Sequence, residues 1–337
     1  MSLYRVRAPV AMIVFNRSES TARVFEEVRK AQPTKLLLVA DGPRADRTGE
    51  KERCRDTRAI FDQVDWECEV ITNFSETNLG CRDRVSSGVR WIFEQVEEAI
   101  ILEDDCLPDP SFFQFCDELL EKYRDDTRVA QICGANNQLG IRRGTESYFF
   151  SRYNNIWGWA SWRRAVQHYD VTMKEWPRFL ESGRLHEVLG RPSEIKYWRG
   201  IFQKTFDEKI NTWDYQWVFS SWTQNMLSIV PNKNLITNIG IGPEATHGMA
   251  DNPFVNAPRE KVIFPLQHPQ GVQRCIEADR HTDALEYGGT IRSRFRNKVR
   301  GALKRLKIDS DPALNLSFIV LMTLWILQRL LVLRGRV

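Results

Sequence analysis

Several things are missing from this chain, and each absence excludes something. Its seven cysteines are odd in number and no two stand as C-x-x-C. That argues against a disulfide framework and suits free thiols in a reducing compartment. No Cys/His cluster suggests zinc. The opening stretch, Met1 to Pro9, has neither a long apolar core nor a cleavage site, so no signal peptide is expected. The N-x-S triplets at Asn16, Asn73 and Asn315 are then chance matches. A net charge of only +4 gives no case for a nucleic-acid partner. There is no internal repeat. The uncharged stretch Leu314 to Leu327 is shorter than the ~20 residues that span a bilayer.

What is present is the composition of a globular protein, 42% apolar and 27% charged over 337 residues. That length suits one large α/β domain or two ordinary ones. Tryptophan is plentiful at 11 residues; its flat, amphipathic ring is useful for stacking on sugars.

Apolar runs at Pro9–Phe15, Lys35–Ala40, Ala99–Leu102 and Val129–Cys133 read as strands. Glu67–Thr72 alternates, which predicts a strand nearer a sheet edge. Between them lie helical stretches at about 18–30, 50–61 and 82–96, and one opened by Asp109-Pro110 and running to about Tyr123. Strands alternating with helices imply a mostly parallel sheet flanked by helices. After residue 145, aromatic and polar residues mix, as in Tyr153–Trp162 and Asn211–Trp217. These blocks read as site-lining loops and short helices.

Three strand ends carry polar residues: Asn16-Arg17, Asp41-Gly42 and Glu103-Asp104-Asp105. In a parallel sheet such ends share one side, where ligands bind. The acidic triplet is self-repelling, and a cation or hydrogen-bond donors relieve that. Oxygen ligands alone favour Mg²⁺ or Mn²⁺, which take one or two carboxylates and leave the rest to water and phosphate. A solvated acidic loop is the plain alternative. Gly80 to Arg84 opens a helix, and its N-terminus with Arg82 or Arg84 offers positive potential to a phosphate; simple capping explains it equally well. Asp214 stands between Trp213 and Tyr215, either as a partly desolvated base or as a helix cap. His247 follows a Gly-Ile-Gly-Pro turn and is either structural or a ligand.

The order of these blocks resembles GT-A glycosyltransferases, and within them the N-acetylglucosaminyltransferase I-like nucleotide-sugar transferases. ILEDDCLPDPSFFQF resembles that family's metal-motif strand. PVAMIVFNR and LLLVADG resemble its first two strands, WGWASW its donor-side Gly-Trp segment, and TWDYQW the block that supplies its base. The resemblance covers roughly residues 8 to 250. It implies a GT-A, Rossmann-like fold and an inverting, metal-dependent transfer of sugar from a UDP-sugar. By it, Asp105 binds the metal directly and Glu103 and Asp104 hold the donor's sugar and nucleoside. Asn16, Arg17 and Asp41 meet the nucleotide, with Asp41 near the uracil. Gly158 and Trp159 lie on the donor side, Asp214 is the base, and His247 sits beside the metal. Trp157, Trp159 and Trp213 are expected to pack on sugar faces. The competing enzyme class is a sugar-nucleotide nucleotidyltransferase, against which the first strand ends in Phe-Asn-Arg with no glycine-rich loop for a triphosphate. A non-catalytic nucleotide-sugar-binding membrane protein is the remaining alternative.

The expected organisation is a catalytic domain at 1–285, with a nucleotide-binding half at 1–145 and a donor and acceptor half at 146–285, followed by a helical tail at 286–337. Arg292–Lys307 holds eight Lys/Arg in sixteen residues and no acid, and an apolar segment follows it. That pattern fits attachment to an anionic membrane surface, or a helix packed on the protein itself or a partner. The expected setting is cytoplasmic, on the inner face of the plasma membrane, with a glycan or lipid-linked acceptor.

Overall fold

The computed structural model describes residues 4–240 and 254–287. The elements run β1 (Val10–Val14), α1 (Ser18–Ala31), β2 (Lys35–Ala40), α2 (Glu50–Ala59), β3 (Glu69–Phe74), α3 (Gly80–Gln95), β4 (Glu98–Glu103), β5 (Cys106–Pro108), α4 (Ser111–Lys122) and β6 (Val129–Cys133). The second half adds β7 (Tyr148–Ser151), β8 (Trp159–Trp162), α5 (Arg163–Val166), α6 (Trp176–Glu181), α7 (Arg184–Val188), α8 (Pro192–Phe206), α9 (Asp214–Thr223), β9 (Leu227–Pro231), β10 (Ile236–Asn238) and α10 (Ile276–Glu286). The chain divides into a unit Met1–Asp283 and a second unit from Ala284 onward.

Eight strands form one sheet in the order β3-β2-β1-β4-β8-β6-β9-β7. The pairs β3–β2, β2–β1, β1–β4 and β6–β9 are parallel, while β8 and β7 run antiparallel to their neighbours. This is the mixed α/β, Rossmann-like architecture expected, and β3 is the edge strand its alternation predicts. It starts two residues later than expected, because its register is set by Lys35 pairing with Glu69.

The period of two in each strand divides the core. Val10, Met12, Val14, Leu36, Leu38, Ala40, Ile100 and Leu102 face α1 and α4 and pack with Val24, Phe25, Val28, Phe112, Phe115 and Leu119. Ala11, Ile13, Leu37, Val39, Ala99 and Ile101 face the other way, onto Val85, Val89, Ile92 and Phe93 of α3 and Trp213 and Trp217 beside and within α9. A strand buried on both faces is apolar at nearly every position, which is why these runs are continuous.

The second half departs from expectation. The WGWASW block is not a loop: Trp159–Trp162 is β8, inserted between β4 and β6 in the middle of the sheet. Among the described residues, four of the ten strands come from this half. A small ribbon pairs β5 with β10 antiparallel, setting Asn238 opposite Cys106. Among the described residues no helix is long and apolar enough to cross a membrane. The basic and apolar tail lies outside them.

Candidate nucleotide-sugar site

Because β1, β2 and β4 are parallel neighbours, Asn16-Arg17, Asp41-Gly42 and Glu103-Asp104-Asp105 all open on one sheet edge. Arg17 reaches across it. Its Nη1 lies 3.3 Å from Asp104 Oδ1 and 3.0 Å from Asp105 Oδ2. Asp104 is buried, and the nearby Phe15 backbone N–H favours its charged form. Asp105 is fixed by the β5–β10 ribbon. The Ile239 N–H donates to its carbonyl at 2.8 Å, and Asn238 Nδ2 donates to Oδ1 at 3.3 Å. A Cβ at position 240 would collide with Asp105 Oδ2, so only glycine leaves that oxygen its room.

Asp214 is the first residue of α9, and Thr212 Oγ1 donates to its Oδ1. The helix hangs from the sheet through aromatic packing. Trp159 of β8 stacks on Trp213, centroids 6.0 Å apart at 25°, and lies 5.8 Å from Trp217. Trp217 Nε1 in turn donates to Gln131 Oε1, a fully buried amide in the middle of β6. Gln131 Nε2 donates to the Asn155 carbonyl at 3.0 Å.

The electrostatics tie these groups into one space. Burial, then the charges of Asp105, Asp104 and Asp214, hold the Glu103 carboxyl well above its ordinary value. Burial and Asp105 push Asp104 up to about 7, against the pull of Arg17. Cys81, at the start of α3, is pushed up to about 12 by burial, then by Glu103 and Asp214. Its thiol stays protonated and is no nucleophile. Asp214 therefore lies within electrostatic reach of Glu103, although the two are far apart in sequence. A cavity of about 530 Å³ lies elsewhere, along β7 at the far edge of the sheet, and none of these residues lines it.

Several expectations need correcting. Trp159 and Trp213 are 1% and 3% exposed and stack on each other, so neither offers a face to a sugar; half-buried Trp157 keeps that possibility. Arg84 is buried, with its Nη2 donating to the Asn73 carbonyl and to Asn73 Oδ1, so it braces the end of β3 and does not reach a phosphate. The first amides of α3 are taken as well. Leu79 N–H and Gly80 N–H both donate to the Asp41 carboxylate, so an internal carboxylate already meets the helix N-terminus. Arg82 is paired with Glu208 at 3.0 Å. Asn16 is buried and donates to Glu50, whose carboxylate also binds the Arg44 guanidinium and backbone N–H. Gly158 has φ +59°, and a Cβ there would collide with Ile236 of β10, so this glycine serves the close approach of β8 to the ribbon. His247 lies outside the described residues.

Among the described residues no three His, Cys, Asp or Glu side chains are set to cage an ion. The donor set is instead open. Asp105 presents oxygen beside a glycine, and Arg17 is the one cation paired to Asp104 and Asp105 among the described residues. That arrangement fits a hard divalent cation arriving with a diphosphate, held by one carboxylate and completed by phosphate and water. It does not fit a closed structural site.

No family model matches the chain, and no curated protein matches it. Among solved structures, a cytidylyltransferase from Leptospira borgpetersenii serovar Hardjo-bovis aligns at 9% identity over 61% of this chain and 74% of that one, with a TM-score of 0.30. A UDP-glucose pyrophosphorylase complexed with UDP-glucose aligns at 13% identity over 42% of this chain, which spans 61% of that one, with a TM-score of 0.24.

Sequence reasoning missed two contributors, Gln131 and Glu50, and gave Asn238 and Gly240 no role beyond a site-lining loop. Gln131 had a signal, an amide inside an otherwise apolar strand. Glu50 had none, being one acid in a charged helix. Asn238 and Gly240 gain their meaning only from the ribbon that sets them on Asp105.

Proposed function

We propose that this chain is a nucleotide-sugar-dependent glycosyltransferase, acting with inversion and with Mn²⁺ or Mg²⁺. The observation that carries the reading is the gathering of Glu103, Asp104, Asp105 and Arg17 at one sheet edge, with Asp214 within electrostatic reach of Glu103. The triplet with Arg17 suits a nucleoside diphosphate, and a base opposite it has a use in transfer to a hydroxyl. Asp214 removes the proton of the acceptor hydroxyl. The oxygen attacks the anomeric carbon as the bond to the diphosphate breaks on the opposite face, and the nucleoside diphosphate leaves with the bonding electron pair. A divalent cation on Asp105 supplies charge neutralisation on that leaving group, an effect of several kcal/mol. Arg17, freed from its carboxylates by the arriving diphosphate, adds donors to the same oxygens. Glu103 and Asp104, with raised pKa, are suited to hydrogen-bond sugar and ribose hydroxyls. UDP as the nucleotide, a glycan or lipid-linked acceptor, His247 beside the metal and membrane attachment through residues 286–337 belong to this proposal.

A second reading is a sugar-nucleotide nucleotidyltransferase, the class of both solved structures named above. One assay decides. The protein is incubated with a panel of UDP-sugars and Mn²⁺, with and without glycan acceptors, and separately with pyrophosphate. Acceptor-dependent UDP release supports transfer; sugar phosphate and UTP formed from pyrophosphate support the second reading. Under the first, Asp214→Asn lowers kcat by about 10²–10⁴ and leaves donor binding unchanged. Normal turnover by that variant would remove Asp214 from its role.

A further inference from the structure

Asp41 ends β2 and is only 5% exposed. Its Oδ1 accepts the N–H of Gly42 at 2.9 Å and of Leu79 at 2.9 Å. Its Oδ2 accepts the N–H of Gly80 at 3.0 Å and the Asn78 side-chain amide at 2.9 Å. A carboxylate has about four lone-pair sites, and here four protein donors take them. The surroundings tighten the same junction. Asn78 Nδ2 also donates to the Gly42 carbonyl at 3.0 Å. A Cβ on Gly42 would collide with the Thr77 backbone. Arg58 Nη2 bridges the carbonyls of Asp41 at 3.0 Å and Ser75 at 2.7 Å.

We propose that Asp41 is a positioning residue, which staples the Thr77–Gly80 loop to the end of β2 and so sets the wall of the nucleotide cleft without itself reading the base. This departs from the base contact that the sequence resemblance implies. A carboxylate that must also accept a base N–H would have to release a backbone amide in a buried setting. What the staple leaves outward on the loop is Leu79, apolar and 44% exposed, a surface for the flat face of a base and blind to its hydrogen-bonding edge. The cleft then selects the base elsewhere or only loosely. The proposal rests on the reading of this edge as a nucleotide site; the staple itself does not.

The test uses the full chain and the variants Asp41→Asn, Asn78→Ala and their combination, titrated with UDP and with CDP in Mn²⁺ and followed by amide hydrogen exchange. Asp41→Asn is expected to weaken both nucleotides by about tenfold and by the same factor, since it disturbs charge-assisted bonds to the loop. Asn78→Ala, at a half-buried site, weakens both by a smaller common factor, and the double variant loses less than the product of the two. Protection of the Leu79 and Gly80 amides falls in Asp41→Asn. A change in the UDP-to-CDP preference of about fivefold or more in Asp41→Asn would show a direct base contact, and unchanged nucleotide binding in Asn78→Ala would show that the staple does not set the cleft; either result overturns the proposal. If the wild-type protein binds neither nucleotide, the functional reading fails. Loss of amide protection then still supports the staple, and unchanged protection overturns it.

Discussion

Replacing Asp104 by asparagine is expected to stabilise this protein, and to do so more as the pH rises. The carboxyl is raised from 3.8 to about 7 by burial and by Asp105. Its side chain is only 10% exposed, so solvent screens it little. The folded state therefore keeps a proton that the unfolded chain has released. By linkage, stability falls wherever the folded state binds more protons. For this group the loss begins near pH 4, accumulates at about 1.4 kcal/mol per pH unit and levels off above pH 7, at a total on the order of 4 kcal/mol. Asparagine mimics the protonated form at every pH. Arg17 retains Asp105 at 3.0 Å, so the substitution orphans no cation. The advantage of Asp104→Asn should grow from about 2 kcal/mol at pH 5 to about 4 kcal/mol at pH 8. Urea unfolding of metal-free protein at pH 5, 6.5 and 8, followed by tryptophan fluorescence, measures it. Carboxylates with lowered pKa, such as Glu50, lose their contribution only at more acidic pH, and the lowered pKa values of His268 and His281 cancel between the two proteins. A variant no more stable than wild type at pH 8, or an advantage that does not grow with pH, would mean that the folded state already compensates this charge.

Three further outcomes follow from the site's supports. Gln131→Leu leaves the Trp217 indole N–H and the Asn154 amide facing an apolar side chain, which should cost about 2–3 kcal/mol in urea unfolding and lower kcat through the displaced α9. Gly158→Ala meets both φ +59° and Ile236, and about 2–4 kcal/mol of destabilisation is expected by the same measurement, with weakened donor binding as the ribbon under Asp105 shifts. Removing residues 291–337 should abolish co-sedimentation with anionic vesicles while leaving UDP release on a soluble acceptor intact; vesicle binding that survives the deletion would refute the role given to the basic tail.

The first half of the fold was legible because its central strands are buried on both faces and its helices on one. PVAMIVF and KLLLVA admit no other economical reading, and parallel order then brings their ends together without further information. The second half hid for a specific reason. In Trp159-Ala160-Ser161-Trp162 the two faces differ in size and bonding partner more than in polarity: Ala160 and Trp162 pack toward α4, Trp159 toward α9, and Ser161 donates to the Ala130 carbonyl at 2.7 Å. A hydropathy pattern does not register such an alternation. The same blindness made Trp159 and Trp213 look like sugar platforms, since sequence shows an aromatic ring and not whether another ring already covers it. Arg84 and the α3 amides looked available to phosphate for a related reason: their partners, Asn73 and Asp41, are set by strand pairing and loop return.

The acidic edge also constrains the order of events. Asp105, Asp104 and Asp214 all act electrostatically on Glu103, and Arg17 is the nearby cation bound to two of them. A diphosphate entering alone would add negative charge to a volume where carboxyls already resist ionisation. Such a ligand is admitted only if it brings a cation or draws Arg17 away while the carboxyls take up protons. Conversely, a divalent cation entering alone must displace the Arg17 guanidinium from Asp105 with nothing else to receive it. If the proposed function holds, each partner would remove the other's obstacle, and diphosphate and cation should bind more strongly together than separately. That coupling follows from charge and geometry at the strand ends, whichever sugar the diphosphate carries.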